Sequence, residues 1–402
     1  MQIAGMIIEY NPLHNGHLHL VEQIRTRLGV ETGVVGVMSG NFVQRGDFAL
    51  VRKAARARAA VESGVDLVLE LPLTWAVASA ERFADGGVQT LMGTGLVSHL
   101  AFGSECGDAD ALCRVADVLT GKELQALLQK ELERGDSFAA ARQRAVEKLI
   151  APEDAALLES PNNILGVEYC KSLLRRKSDI VPLSVKRKGT GYHETELTEN
   201  LPSATLVRNA LRRGETETAL SLMAPAMAKT YREEAAAGRA PVFRENCERA
   251  ILARLRSMNE ADFAALDQGK EGLYHRLYEA SREAASIKEL LERAKTKRYA
   301  YTRLQRMMLW AWLGLTPGAF PEEVPYLRVL AANDRGRTML ARMRETAAIP
   351  VLTKPADVRH LAEPARELFA LEVRATDLYT LAYPDLTAAR GGAEWRGGPV
   401  IL

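Results

Sequence analysis

The chain has 402 residues, of which 47% are hydrophobic and 26% charged, with a formal net charge of +2. That balance is ordinary for a soluble globular protein able to bury a sizeable core, and the length favours two domains. A near-neutral total excludes capture of a polyanion by the global field, so any affinity for RNA must come from local patches.

Residues 1–215 alternate short apolar runs with helical patterns, the signature of a parallel α/β sheet. Predicted strands are Ile3–Ile8, Val34–Met38, Asp66–Leu71, Leu100–Phe102 and Ile180–Val185. Between them Leu18–Leu28 reads as a helix, with Val21, Ile24 and Leu28 at helical spacing before Gly29, and Val51–Ser63 as another before Gly64. A helical insertion over Asp108–Leu149 is punctuated by Ala151-Pro152-Glu153-Asp154. Beyond residue 215 the Ala/Glu/Arg/Leu-rich pattern predicts a mostly helical Glu217–Leu313, broken at Thr316-Pro317-Gly318. Val329–Ala331 and Ile349–Leu352 read as small strands or caps. The expectation is a Rossmann-like parallel-sheet domain over 1–215, followed by a mainly helical domain over 216–402.

The opening run Met1–Ile8 meets Glu9 at once, so no secretory signal is expected, and no stretch offers the ~18 apolar residues of a membrane span. Cys106, Cys113, Cys170 and Cys247 form no Cys-X-X-Cys pair and no zinc-finger spacing. Free thiols in a reducing cytoplasm, with no structural metal, are the expectation.

The strongest chemical signal is Glu9-Tyr10-Asn11-Pro12-Leu13-His14-Asn15-Gly16-His17, at the end of the first strand and the start of an amphipathic helix. A helix start offers unpaired N–H groups and a positive dipole end, which suits phosphate. Gly16 removes a side chain where a nucleotide needs close approach, and His14 and His17 can donate to phosphate as negative charge develops. Metal binding by the two histidines lacks an obvious third ligand.

A second signal is Leu201-Pro202-Ser203-Ala204-Thr205-Leu206-Val207-Arg208. Ser203 reads as an N-cap of a helix running through Leu211, with Thr205 and Arg208 three residues apart on one face. Hydroxyls, backbone N–H groups and a guanidinium make a clamp for β- and γ-phosphates, although an ordinary capped helix explains the same residues. Together the two signals resemble the paired signatures of the nucleotidylyl transferase superfamily. Its second motif usually reads Ser-Ser-Thr-X-X-Arg, and Ala204 replaces the middle hydroxyl here.

A third feature is the acid-free tract Lys295–Arg306, which holds Lys295, Lys297, Arg298, Arg303 and Arg306 with Tyr299 and Tyr301. If helical, it places Lys295, Tyr299, Arg303 and Arg306 on one face, able to hold phosphates and stack a base. A solvated charge run is the plain alternative. Arg52, Lys53, Arg56 and Arg58 form a weaker patch that would extend the same surface.

EYNPLHNGH, SGNFVQRGD at Ser39–Asp47, FGSECGD at Phe102–Asp108, SPNNILG at Ser160–Gly166 and KTKRYAYTRLQR at Lys295–Arg306 resemble the tRNA(Met) cytidine acetate ligase family. The likeness covers most of the chain in matching order, with Leu13 where the family usually has Phe. It implies an ATP-dependent ligase that activates acetate as acetyl-adenylate and acetylates the wobble cytidine of elongator tRNA(Met). It implies catalysis by His14 and His17. ATP contacts are implied for Ile7, Ile8, Glu9, Tyr10, Asn11, Pro12, Leu13, His14, Asn15, Gly16, His17, Leu18, His19 and Leu20. Gly103, Asn162, Asn163, Arg187, Ser203, Thr205 and Arg208 complete that set, with Mg²⁺ expected on the pyrophosphate. It also implies tRNA contacts by Lys295, Lys297, Arg298, Arg303 and Arg306.

Asn162–Asn163 read equally as a helix cap and Arg187 as a solvated loop charge. Arg45 and Glu105 each follow a strand end, where an exposed turn and a capping carboxylate are the plain readings. A cofactor adenylyltransferase acting on a phosphate-bearing small molecule and a non-catalytic, ATP-regulated RNA-binding protein stay open as alternatives.

Overall fold

Strands β1 (Ile3–Ile8) and β2 (Gly33–Ser39) are apolar on both faces, as strands in the middle of a covered parallel sheet must be. In the computed structural model, which describes residues 2–134, 138–187, 203–266, 272–297, 299–317 and 320–402, they pair in parallel from Ile3↔Gly33 to Ile8↔Met38. A small antiparallel pair follows, β3 (Phe42–Val43) and β4 (Asp47–Phe48). Next come β5 (Leu67–Leu71), β6 (His99–Ser104) and β7 (Val181–Lys186), so all five strands expected in residues 1–215 form.

Three further strands come from the last part of the chain: β8 (Leu327–Ala332), β9 (Val351–Leu352) and β10 (Val400–Ile401). The sheet order is β10-β8-β5-β2-β1-β6-β7, with β9 beside β8. β5 and β8 pair antiparallel, and every other pair in this sheet is parallel. The sheet therefore draws strands from both sides of residue 215.

Side chains alternate between the two faces of the sheet. Val35 and Val37 join one core with Phe83, Leu91 and Leu112, whereas Val34 and Met38 join another with Ile24, Ala57 and Met227. A third core lies among the helices around Ile251, Leu277, Leu290, Leu304 and Trp310. Phe42 and Phe48 of the small hairpin belong to this third core, and Phe48 lies 5.3 Å from the Trp312 ring. The hairpin thus plugs the end of the α/β sheet into the helical region.

The chain order reverses direction in the sheet at β1, which has β2 on one side and β6 on the other. In open parallel sheets a ligand crevice opens beyond the carboxyl ends of the strands at such a switch point. The loop after β1 and the end of β6 border that crevice.

Candidate active site

Past Ile8 the chain bends sharply. Tyr10 adopts φ +47, a left-handed conformation costing a non-glycine residue about 1–2 kcal/mol, and its buried ring lies 4.9 Å from that of His17. Leu13 is 1% exposed and anchors the bend; its carbonyl accepts from Ala224 N–H at 3.2 Å. His14 then caps the helix Asn15–Leu28.

The two imidazoles are brought together. Their centroids lie 3.7 Å apart with 28° between the planes, so the first turn stacks them on one another. Gly16 N–H donates to His14 Nδ1 at 3.1 Å, and His14 N–H donates to His17 Nδ1 at 3.2 Å. With both Nδ1 atoms accepting, a neutral ring must carry its proton on Nε2. Burial first, and then the Arg187 charge, pushes His14 down to about 3. His17 is held well below its ordinary value by burial, then by His14 and Arg187. The site therefore presents two neutral Nε2–H donors of fixed tautomer.

The Arg187 charge acts on both rings, and Gly103 lies beside Arg187. A Cβ at Gly103 would meet Arg187 Cγ at 3.2 Å, so the glycine lets the arginine stem lie across the end of β6. Arg187 N–H continues the β6–β7 pairing by donating to the Ser104 carbonyl at 2.9 Å.

Other residues of the implied nucleotide set serve the frame. Ile7 and Ile8 pack into the cores on either face of the sheet, and Leu18 and Leu20 lie against the second. His19 faces Glu22 at 3.7 Å. The Glu9 carboxylate accepts from Gln44 N–H at 2.7 Å and from Ser39 Oγ at 3.4 Å, and burial raises its pKa. Asn11 Oδ1 accepts from Leu50 N–H at 2.7 Å.

Asn162 and Asn163 open the helix Pro161–Arg175 and meet Glu105 there. Glu105 accepts from Asn163 N–H at 2.8 Å and Asn162 Nδ2 at 2.7 Å, while Asn163 Oδ1 accepts from Glu105 and Cys106 N–H at 3.0 and 3.1 Å. This reciprocal cap fixes the loop after β6, and it gives Glu105 the capping role.

Ser203 caps the helix Ala204–Arg212 through Leu206 N–H at 3.2 Å. Thr205 and Arg208 lie at i, i+3 near the start of this helix, as expected, with Thr205 exposed and Arg208 7% exposed. Arg208 donates to Asp47 Oδ2 at 2.9 Å, Asn11 Oδ1 at 3.0 Å and the Phe48 carbonyl at 3.2 Å. It thus ties the histidine loop to β4. Asp47 was legible only as part of a motif; its partner lies 161 residues away.

The basic tract is not one helix. The helix Ile287–Ala294 ends at Lys295 and the next, Tyr301–Leu313, begins after Ala300. Tyr299 is 7% exposed, and its burial in the helical core wins over continued helix. Lys295 lies over the Tyr301 ring at 5.8 Å and Arg303 over Tyr299 at 5.6 Å, while Lys295 and Lys297 are exposed. Arg298 lies outside the described residues. Arg306 Nη1 donates to the Gln44 carbonyl at 3.4 Å, so the tract abuts the turn held by Glu9.

The second basic patch is absorbed by carboxylates and carbonyls. Arg52 pairs with Glu234 at 2.8 Å, Lys53 with Glu70 and Glu394 at 2.7 Å each, and Arg58 with Glu62 and Glu233 at 2.9 and 3.0 Å. Arg56 is fully buried and donates to the carbonyls of Val51, Ser39, Gly40 and Glu9. It stitches the carboxyl ends of β1 and β2 together rather than extending a surface.

All four cysteines are free thiols. No helix among the described residues is long and apolar enough to cross a membrane. Among those residues no group of three or more His, Cys, Asp or Glu is placed to hold a metal.

A stacked histidine pair capping the first helix of a parallel sheet, at its switch point, defines a nucleotidyl transferase of the His-X-Gly-His class, and the model of the HIGH Nucleotidyl Transferase family matches residues 1–394. Within that class the chain belongs to the tRNA(Met) cytidine acetate ligase family. It is 36% identical over 416 residues to the ligase of Acetivibrio thermocellus, covering 100% of both chains, and 36% identical over 419 residues to that of Halothermothrix orenii, covering 98% of each. The crystal structure of apo Thermotoga maritima TmcAL superposes with a TM-score of 0.95 at 33% identity, covering 100% of both chains. The same protein bound with alpha-thio ATP gives 0.92, again at 33% identity with full coverage.

Proposed function

We propose that the chain uses ATP to activate acetate as acetyl-adenylate and then acetylates the wobble cytidine of elongator tRNA(Met). The observation that carries this reading is the pair of neutral imidazoles with Nε2–H free to donate, stacked at 3.7 Å in the crevice beyond β1. An acetate oxygen attacks the α-phosphorus, the bond to the β-phosphate oxygen breaks, and pyrophosphate leaves. Charge grows on the phosphoryl oxygens in that step, and two fixed donors stabilise it without reorganising. The cytidine exocyclic nitrogen then attacks the acyl carbon, AMP departs, and the nitrogen loses a proton.

Residues 1–215 would carry the nucleotide chemistry and 216–402 the grip on tRNA. His14 and His17 act on the α-phosphate, Arg187 beside Gly103 adds positive charge, and Ser203, Thr205 and Arg208 hold the leaving pyrophosphate. Arg208 can do so only by exchanging part of its hold on Asp47. Asn162 and Asn163 support the nucleotide edge through the Glu105 cap. Mg²⁺ on the phosphate oxygens would supply charge neutralisation, as suits an ion bound mostly through substrate phosphates. Lys295, Lys297, Arg298, Arg303 and Arg306 contact the tRNA backbone.

Isotope exchange between pyrophosphate and ATP tests the first step. Exchange that requires acetate supports the reading; exchange that requires a different acceptor, or none at all, refutes it.

A further inference from the structure

Beside the basic tract the structure gathers two cations that no sequence motif announced, Arg212 and Arg244, around Arg208 of the second motif. Arg212, one helical turn beyond Arg208, lies over the Phe243 ring at 4.4 Å, and Arg208 lies over the same ring at 5.4 Å. Arg244 follows Phe243 in the chain. Arg208, Arg212 and Arg244 all act on one carboxylate, Asp47, and lower its pKa against the effect of burial. The second acid is Glu245, 3.7 Å from both Arg212 and Arg244. Three guanidiniums therefore face two carboxylates.

This group is continuous with the tract at 295–306. With the Gln305 amide turned to the orientation that satisfies both of its ends, Oε1 accepts from Arg244 Nη1 at 2.6 Å and Nε2 donates to the Arg45 carbonyl at 3.2 Å. Arg306 beside it finds a backbone carbonyl, and burial with the neighbouring Arg303 charge holds it down to about 10. Arg244 Nε is buried without a hydrogen-bond partner, while the Arg212 side chain keeps 35% of its surface open to solvent. Excess positive charge concentrated at a half-open surface is what a phosphodiester chain neutralises.

We propose that Arg212 and Arg244, with Phe243 as their platform, continue the RNA-binding surface from the 295–306 tract toward the nucleotide crevice, where they hold the phosphodiesters of the single-stranded segment that presents the acceptor base. This rests on the tRNA reading above and adds a path across the junction. Arg208 of the same cluster shares Asp47 with Arg212, so the KM for ATP is the measurement that separates this reading from service to the triphosphate.

The test is equilibrium binding of an unmodified tRNA(Met) transcript to the full chain across a salt series. Arg212→Gln and Arg244→Gln should each weaken binding roughly five- to tenfold at low salt and reduce the slope of log K against log salt by about one. Arg212→Lys should restore the slope. Wild-type affinity and slope in both glutamine variants would overturn the proposal. So would a matching rise in the KM for ATP in pyrophosphate exchange without RNA, which would assign the cluster to the triphosphate. Neutralising Lys295, Lys297, Arg303 and Arg306 together separates the two claims: if that leaves RNA binding intact while Arg212→Gln weakens it, the tract reading falls and this one stands.

Discussion

His14 and His17 stack at 3.7 Å, and each ring turns its Nδ1 to a backbone N–H of the same helix turn. The helix start therefore does more than attract phosphate with its dipole. It also fixes which imidazole nitrogen carries the proton, leaving Nε2–H as the outward donor.

Adenylate formation should consequently be insensitive to histidine titration. The ordinary imidazole value is 6.5, and His14 is pushed down to about 3 with His17 also far below 6.5. Both rings stay neutral from pH about 6 to about 9, so acetate-dependent exchange should show no histidine limb there. The same depression makes the folded state lose stability as pH falls through 6.5 toward 3, because the unfolded histidines take up protons first. His14→Ala should lower exchange by about 10²–10³ with near-normal thermal unfolding. An acid limb near pH 6.5 in the wild type, absent from a His14 variant, would count against the neutral-donor role.

Gly46 tests the junction between the sheet and the helical region. It adopts φ +74, and a Cβ there would lie 2.5 Å from the backbone nitrogen of Arg306. Gly46→Ala should cost about 1–3 kcal/mol in chemical denaturation and weaken tRNA binding more than it raises the KM for ATP. Equal stability in the variant would show that the turn is slack.

Glu105→Ala should leave three donors at the Asn162–Asn163 helix start without their acceptor. A loss of about 1 kcal/mol is expected, with a several-fold rise in the KM for ATP and a smaller change in kcat. A fall in kcat alone would mean that Glu105 acts on the reacting groups.

Lys53 and Arg58 separate fold from surface. Lys53 and Arg328 both pair with Glu70 and Glu394 in a buried cluster, and Lys53→Met should destabilise by about 3–5 kcal/mol by removing one of these cations from two buried carboxylates. Arg58→Gln removes only partly exposed pairs, so stability should change by less than about 1 kcal/mol and the salt slope of tRNA binding not at all. A reduced slope would restore the patch to the RNA surface.

The parallel strands and the histidine loop were legible because their signals are local: apolar runs, helical spacing, and a glycine beside two histidines. The antiparallel entry of β8 next to β5 was not, since Leu67↔Ala332 pairing joins residues far apart in the chain and leaves no mark in either segment. Tyr299 broke the expected basic helix by burying itself in the helical core, an outcome set by tertiary packing. The acids that hold the site, Glu105 at Asn163 and Asp47 at Arg208, could be seen as residues and not as partners. Arg212 and Arg244 carried no motif at all.

The most direct measurement follows oxygen from acetate. With acetate labelled by ¹⁸O in both carboxyl positions, a single turnover on tRNA(Met) should leave one labelled oxygen in the phosphate of AMP, because the acetate oxygen that attacked the α-phosphorus stays there when the acyl group leaves. Label in pyrophosphate or orthophosphate, with unlabelled AMP, would contradict attack at the α-phosphorus beside His14 and His17.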